Sequence, residues 1–186
     1  PQDVPITLLH KKSRYDLPRL VWRLAKYYEQ TKPSIVLSFA NYANLVAVLA
    51  RGLSHTKPKV LLSIHTHTSS SLKDEGASGW IKSKLIPFLY PKSDGIICVS
   101  QGILDDLVIH FGIPPEKVKV IYNPVDLTYI SAQAKDSIDH PWFTNREKPV
   151  IIAMGRLTAQ KGYPYLLKAF ARIVAKRRSE EHTSEL

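Results

Sequence analysis

The sequence predicts an α/β protein in which helices cover both faces of a parallel β-sheet, followed by the first βα unit of a second domain. Short apolar runs alternate with segments whose apolar residues recur at helical spacing, from a strand at 34–39 to a strand at 118–122. The strand-like runs are apolar throughout, which is typical of strands buried on both faces in a parallel sheet. Another apolar run, 150–154, appears only after a polar stretch.

The individual elements follow from apolar spacing and from residues that start or stop helices. Asp16 and Pro18 mark the beginning of the first helix, and Pro33 lies beyond its end. Pro87 is expected to kink the third helix, and Gly112 is expected to end the fourth. The predicted strands are 4–9, 34–39, 59–64, 95–99 and 118–122. The predicted helices are 17–30, 41–53, 80–90 and 101–111, with a polar loop at 65–79.

The chain is expected to contain two domains and a linker. Residues 1–124 form the first domain, which is incomplete at its start, and 125–148 form a polar connection that begins after Asn123-Pro124. A second domain occupies 149–178 and is expected to be truncated, because one strand and one helix, 163–176, cannot build a core. Residues 179–186 have no apolar period and resemble a translated sequencing adapter, so they are interpreted as a non-native tail.

Composition limits the classes of partner. The 186 residues include 26 Lys and Arg against 16 Asp and Glu, a net charge of +10 that favours anionic partners. No basic stripe is interleaved with aromatic residues, so nucleic acid is not an expected partner. The apolar runs are too short to span a bilayer, whereas scattered cations suffice for surface contact with an anionic membrane. The single cysteine, Cys98, cannot form an internal disulfide and suits a reducing cytoplasm.

Parallel sheets bind ligands beyond the carboxyl ends of their strands. Ser100, Gly102 and Asn123 fall at such ends and are candidates for lining a cleft. Each also has a structural interpretation: Ser100 and Gly102 are suited to the start of a helix, and Asn123 to the turn between domains. Both interpretations stay open at the level of sequence.

Residues 155–162 combine a glycine-bounded loop with two cations and a helix start. Gly155 allows close backbone approach, Arg156 can grip a phosphate bidentately, and Lys161 can act as a point charge. The amides of the helix that follows favour an anion. The stretch lacks the spacing of a P-loop, and cations in a loop are commonly solvated surface charges. On pattern alone it is an anion-site candidate.

Several of these blocks together resemble the family 4 glycosyltransferases. The resemblance rests on Tyr122-Asn-Pro-Val-Asp126, Asp139-His-Pro-Trp-Phe143 and Gly155-Arg-Leu-Thr-Ala-Gln-Lys-Gly162, and extends to 63–65 and 100–107. It implies a retaining enzyme of the GT-B fold, with two Rossmann-like domains and a nucleotide diphosphate sugar as donor. The resemblance is strongest to members that build lipopolysaccharide or capsular polysaccharide.

The resemblance also implies roles for individual residues. Gly155, Arg156 and Lys161 would bind the donor diphosphate, and His65 would lie near the transferred sugar as the candidate catalytic residue. The alternative for His65 is an ordinary surface-loop histidine. No cofactor and no metal are expected, because His65 and His67 have no further ligand at metal-binding spacing nearby.

The predicted function is therefore transfer of a sugar to a glycan or lipid-linked acceptor in cell-surface polysaccharide biosynthesis. The expected location is cytoplasmic, peripheral at the inner face of the cytoplasmic membrane. The family's pair of glutamates eight residues apart is not found in the chain, so these 186 residues alone are expected to be inactive. The alternative is a non-catalytic α/β module that binds an anion or an acidic partner.

Overall fold

The computed structural model describes residues 5–9, 16–141 and 150–183, the stretch 177–183 by its backbone alone. By internal contacts the chain divides into two compact units, Pro1–Val125 and Asp126–Leu186. The division falls beside the domain boundary expected from sequence. The assignment of these units to an acceptor side and a donor side stays a prediction, and each unit is described by itself.

The first unit alternates strands and helices. Its strands are β1 (Ile35–Phe39), β2 (Lys59–Ile64), β3 (Gly95–Cys98) and β4 (Val118–Val120). Its helices are α1 (Leu17–Thr31), α2 (Asn41–Leu53), α3 (Thr68–Lys73), α4 (Ala77–Leu89) and α5 (Gln101–Phe111). The strands form one sheet in the order β1-β2-β3-β4, and every neighbouring pair is parallel. The predicted α/β class with a Rossmann-like parallel sheet is confirmed.

The main core lies between the sheet and its crossover helices. Leu62, Ile64 and Cys98 pack there with side chains from α2, α4 and α5. Right-handed crossovers between strands that follow one another in order place the connecting helices on the same face. On the other face of β1, Ile35, Leu37 and Phe39 remain half-exposed.

Three predictions about the first unit were wrong in detail. Residues 5–9 form no strand, and Val4 lies outside the described residues. The stretch 65–79 is not a continuous loop, since it contains α3 and the beginning of α4. β4 ends at Val120, two residues before its predicted end.

Gly79 and Gly112 explain two features of the packing. A Cβ on Gly79 would lie 1.8 Å from the carbonyl oxygen of Leu72, so only glycine permits the close approach of α3 and α4. Gly112 ends α5 as predicted, in the left-handed conformation with φ 60°.

Cys98 is fully buried, and burial raises the pKa of its thiol to about 11. The thiol is thus protonated and inert at neutral pH.

The second unit has more helix than predicted and lacks the predicted strand. It contains α6 (Leu127–Gln133), inside the predicted connection, and α7 (Tyr163–Thr183), which extends past its predicted end at residue 176. The predicted strand at 150–154 was wrong, because these residues make no sheet pairing and are exposed. A strand needs a neighbour for its backbone groups, and the described residues of this unit contain no other strand.

Candidate functional site

Because the four strands of the first unit are parallel, the segments that follow them meet at one edge of the sheet. The segment after β1 turns sharply at Ala40, which has φ 72° although it is not glycine. Such a conformation strains a residue with a Cβ and is typical of functional edges. The predicted cleft-lining residues Ser100, Gly102 and Asn123 lie in or beside segments at this edge.

His65 follows the last residue of β2 and is exposed. Its Nε2 lies 2.9 Å from the Oγ of Ser63, and its ring lies 5.7 Å from the ring of Phe39, centroid to centroid. These two contacts orient the imidazole at the strand end and leave Nδ1 for another partner. The geometry fits a histidine that binds a ligand above the sheet edge.

Ser100 and Gly102 begin α5. The Oγ of Ser100 accepts a hydrogen bond from the amide of Ile103 at 3.4 Å, so the helix-cap interpretation of Ser100 is confirmed. A Cβ on Gly102 would lie 3.4 Å from Cε1 and Nε2 of His67. The absence of a side chain at Gly102 therefore lets the His67 ring approach α5. Asn123 is exposed, in the segment that leads from β4 to the second unit.

A buried carboxylate connects α5 to α3, and the sequence analysis missed it. Asp106 is 6% exposed and accepts hydrogen bonds from both the amide and the hydroxyl of Ser69, the amide at 3.0 Å. Nδ1 of His67 and Nε2 of His110 each lie 3.9 Å from its Oδ1. A protonated imidazole at either position would form an ion pair with Asp106. The available signal was a charged residue between the apolar Ile103 and Leu107 on α5.

Replacing Asp106 with alanine is expected to lower the free energy of unfolding by about 2 kcal/mol, because the amide and the hydroxyl of half-buried Ser69 lose their charged acceptor. Asp106→Asn keeps one acceptor oxygen, so its free energy of unfolding is expected to fall by less than that of Asp106→Ala. Urea unfolding followed by circular dichroism measures both. Equal stability of Asp106→Ala and the wild type would show that the carboxylate does not hold α3.

Tyr90 contacts the first residue of α2 from within the core. Its side chain is fully buried, and its hydroxyl donates a hydrogen bond to Oδ1 of Asn41 at 3.4 Å. Burial raises the pKa of the Tyr90 hydroxyl above its ordinary value, so the hydroxyl remains a donor at physiological pH. The contact ties the strained turn at Ala40 to the core.

In the second unit, residues 155–162 form a closed loop. The hydroxyl of Tyr163 donates to the carbonyl oxygen of Gly155 at 3.1 Å, and a Cβ on Gly155 would lie 3.5 Å from Cγ and Cδ of Lys161. Residues Ala159–Lys161 form a single 3₁₀ turn, and Gly162 reverses the chain with φ 68°. The loop therefore presents Arg156 and Lys161 from a defined backbone rather than from an open chain.

Both cations of this loop are available to a ligand. Arg156 and Lys161 are both exposed to solvent. Neither residue forms an ion pair within the described ranges 5–9, 16–141 and 150–183. The amides of α7 contribute less than the sequence suggested. Pro164 has no N–H, and the amides of Tyr165 and Leu166 donate to the carbonyl oxygen of Gly162 at 2.9 and 3.2 Å. An anion here would be held chiefly by side chains.

The comparisons with known proteins now define the family. The model of Glycosyltransferase Family 4 matches residues 2–129. The chain belongs to glycosyltransferase family 4. This confirms the resemblance drawn from the sequence motifs. In the described part of this family 4 chain, there is no group of three or more His, Cys, Asp or Glu residues that could hold a metal ion. None of the described helices is long and apolar enough to cross a membrane.

Three curated relatives are similar to this chain. The N-acetylgalactosamine-N,N'-diacetylbacillosaminyl-diphospho-undecaprenol 4-alpha-N-acetylgalactosaminyltransferase of Campylobacter jejuni is 31% identical over 157 residues, 84% of this chain and 41% of the relative. The alpha-maltose-1-phosphate synthase of Mycolicibacterium smegmatis is 27% identical, over 73% of this chain and 36% of the relative. An uncharacterized glycosyltransferase of Methanocaldococcus jannaschii is 22% identical, over 92% of this chain and 45% of the relative. The chain thus spans less than half the length of these relatives.

Proposed function

We propose that the protein transfers a sugar from a nucleotide diphosphate sugar to a glycan or lipid-linked acceptor in cell-surface polysaccharide biosynthesis. Membership of family 4 supports sugar transfer. The observation that carries the donor assignment is the closed loop at 155–162, which presents Arg156 and Lys161 without competing carboxylates in the described part of the chain. A lipid-linked acceptor is supported by the similar transferase of Campylobacter jejuni, whose name specifies a diphospho-undecaprenol acceptor.

The chemistry required of the loop is stabilisation of a leaving group. As the glycosidic bond to the donor breaks, negative charge develops on the departing diphosphate. Arg156 can share two N–H groups with one phosphate, and Lys161 adds a mobile ammonium for the other. Cations that are already in place stabilise this charge without reorganisation of solvent, and no metal is required for that purpose.

We assign the first unit to the acceptor side. His65, oriented by Ser63 and Phe39, would hydrogen-bond the transferred sugar through the nitrogen that faces away from Ser63. Gly102 and Asn123 would line the same edge of the sheet, where ligands of parallel sheets bind. Retention of the anomeric configuration is an expectation from the family alone.

The proposed location is the inner face of the cytoplasmic membrane, with peripheral attachment. The net charge of +10 favours an anionic surface, and a lipid-linked acceptor would be presented there. Nucleic acid is not part of this proposal, since the basic residues are spread rather than arranged with aromatics.

A transfer assay tests the function. The complete gene product that carries this chain is incubated with UDP-, GDP- and ADP-linked sugars and a polyprenyl-diphosphate-linked glycan. We expect one donor to release its nucleotide only when acceptor is present, with a product one sugar larger by mass. Nucleotide binding without transfer to any acceptor would favour the non-catalytic module instead.

A further inference from the structure

Asp106 is a buried carboxylate where α5 packs beside α3. The amide of Ser69 donates to its Oδ2 at 3.0 Å, and the hydroxyl of Ser69 donates to its Oδ1. Nδ1 of His67 and Nε2 of His110 each lie 3.9 Å from the same Oδ1. A neutral amide could also accept from Ser69, and burial of a charge is costly unless nearby groups compensate for the lost water. The two imidazoles are therefore the groups on which the charge of Asp106 acts.

The two histidines occupy different ends of this arrangement. His67 lies in the segment that follows β2, at the edge where the strands end, and directly precedes α3. His110 lies in the last turn of α5, about 13 Å along the helix axis from the first residue of α5 at that edge. Their side chains are 56% and 58% exposed. The two histidines are thus alike in exposure and in distance to Asp106, but His67 is the one that lies where parallel sheets bind ligands.

Gly102 leaves open space beside the ring of His67. A Cβ on Gly102 would lie 3.4 Å from Cε1 and Nε2 of His67, and apart from neighbouring residues of α5 no other atom in the described ranges would lie within 4 Å of it. Gly102 is not among the residues with positive φ, so its backbone conformation does not require glycine. Alanine would favour the helix more strongly. The effect of the glycine is therefore spatial, since it keeps the Nε2 side of the ring accessible from the edge.

The carboxylate of Asp106 determines which nitrogen of His67 carries the proton. A negative oxygen beside Nδ1 favours a proton on that nitrogen, and the other nitrogen of a neutral imidazole then accepts hydrogen bonds. The separation of 3.9 Å exceeds a hydrogen bond, as is common for such pairs before a substrate is bound. His67 thus presents Nε2 as a hydrogen-bond acceptor toward the open space beside Gly102.

We propose that His67 binds a hydroxyl group of the acceptor glycan through Nε2, and that Asp106 is the positioning residue that fixes the tautomer of His67. A hydroxyl group whose proton is held by Nε2 keeps its oxygen lone pairs free, as attack on the donor sugar requires. The role differs from that of His65, which we assigned to the transferred sugar. The inference rests on the proposed function, which assigns this edge of the sheet to the acceptor side.

Asp106→Asn tests the tautomer. The backbone N–H of Ser69 can only donate, so the amide oxygen of the asparagine would take the place of Oδ2 and its NH2 group the place of Oδ1. The NH2 group would donate toward Nδ1 of His67 and favour the tautomer with the proton on Nε2. The measurement is NMR of the complete gene product with 15N-labelled histidine, at a pH at which the ring is neutral. We expect His67 to be protonated on Nδ1 in the wild type and on Nε2 in Asp106→Asn.

Transfer kinetics test the contact with the acceptor glycan. His67→Ala and Asp106→Asn are each expected to lower kcat/KM for the acceptor glycan about tenfold, as for the loss of one hydrogen bond, with unchanged affinity for nucleoside diphosphates. His67→Gln is expected to recover part of the loss, because its amide oxygen can also accept a hydrogen bond. Gly102→Ala is expected to lower the same kcat/KM without loss of stability, since its methyl group fills the space beside Nε2. His110→Ala is the matched control and is expected to keep the wild-type kinetics.

The inference is overturned by unchanged kinetics in His67→Ala and Gly102→Ala, by an equal loss in His110→Ala, or by a loss of donor affinity in place of the change in acceptor kinetics. An unchanged tautomer in Asp106→Asn would overturn the positioning role of Asp106. Urea unfolding checks that each variant is folded at the assay temperature. Absence of transfer by the wild type would remove the proposed function as well, whereas wild-type transfer that is insensitive to His67 removes this inference alone.

Discussion

Arg156→Ala and Lys161→Ala are each expected to lower the rate of sugar transfer by about 100-fold in the complete gene product, because one lost group that stabilises the leaving group costs roughly 3 kcal/mol. Arg156→Lys keeps the charge but loses the bidentate grip, so an intermediate loss is expected. The measurements are kcat with saturating donor and the affinity for nucleoside diphosphates by titration calorimetry.

Lys168→Ala is the matched control for these variants. Lys168 is an exposed cation on α7, a few residues beyond the loop, and its loss changes net charge by the same amount. We expect the control to retain wild-type rate and affinity. If Arg156→Ala and Lys161→Ala also retain both, the loop does not bind the donor, and the diphosphate site must be sought elsewhere.

Leu62→Ala is expected to destabilise the first unit by about 3 kcal/mol, because a large buried side chain is replaced by a cavity. Leu62 lies in β2, between β1 and β3, and is fully buried in the main core. Leu53→Ala at the end of α2, where the side chain is exposed, is expected to cost much less. Urea denaturation measures both. Equal costs for the two leucines would contradict the placement of the core.

The elements that the sequence predicted well are those whose signals are local. Helix 41–53 was predicted with the observed bounds, and helix 101–111 was predicted together with its ends at Ser100 and Gly112. Helix α3 was missed because Thr68-Ser-Ser-Ser has no apolar period. It is held instead by tertiary contacts, through buried Leu72 and the hydrogen bonds from Ser69 to Asp106.

The opposite error occurred at residues 150–154. Their apolar, β-branched composition is typical of a strand, but the described residues of the second unit provide no neighbouring strand. The strand propensity of a residue measures how well its side chain packs on an existing sheet. A segment with high propensity therefore forms a strand only where a neighbouring strand is present. A helix such as α7 satisfies its backbone groups within its own sequence, and its existence was therefore easier to predict.

The candidate site shows the same division. The loop at 155–162 was found from sequence because two glycines and two cations lie within eight residues. Asp106 and His67 are 39 positions apart in the chain, and only the packing of α5 beside α3 brings them together. Spacing reveals sites made by one segment, whereas sites made by two helices depend on how those helices pack.

The strand order has a consequence for how the first unit is made. Each new strand pairs only with the strand completed before it, and the pairs Ile35 with Lys59 and Ile96 with Val118 are separated by little more than one helix and its loops. Within the described residues of the first unit, the strands pair in the order in which they occur in the sequence. Domains fold from the amino-terminal end during synthesis, and short separations between partners favour rapid pairing. The four strands can therefore pair one after another during synthesis, because their order in the sheet is the same as their order in the sequence.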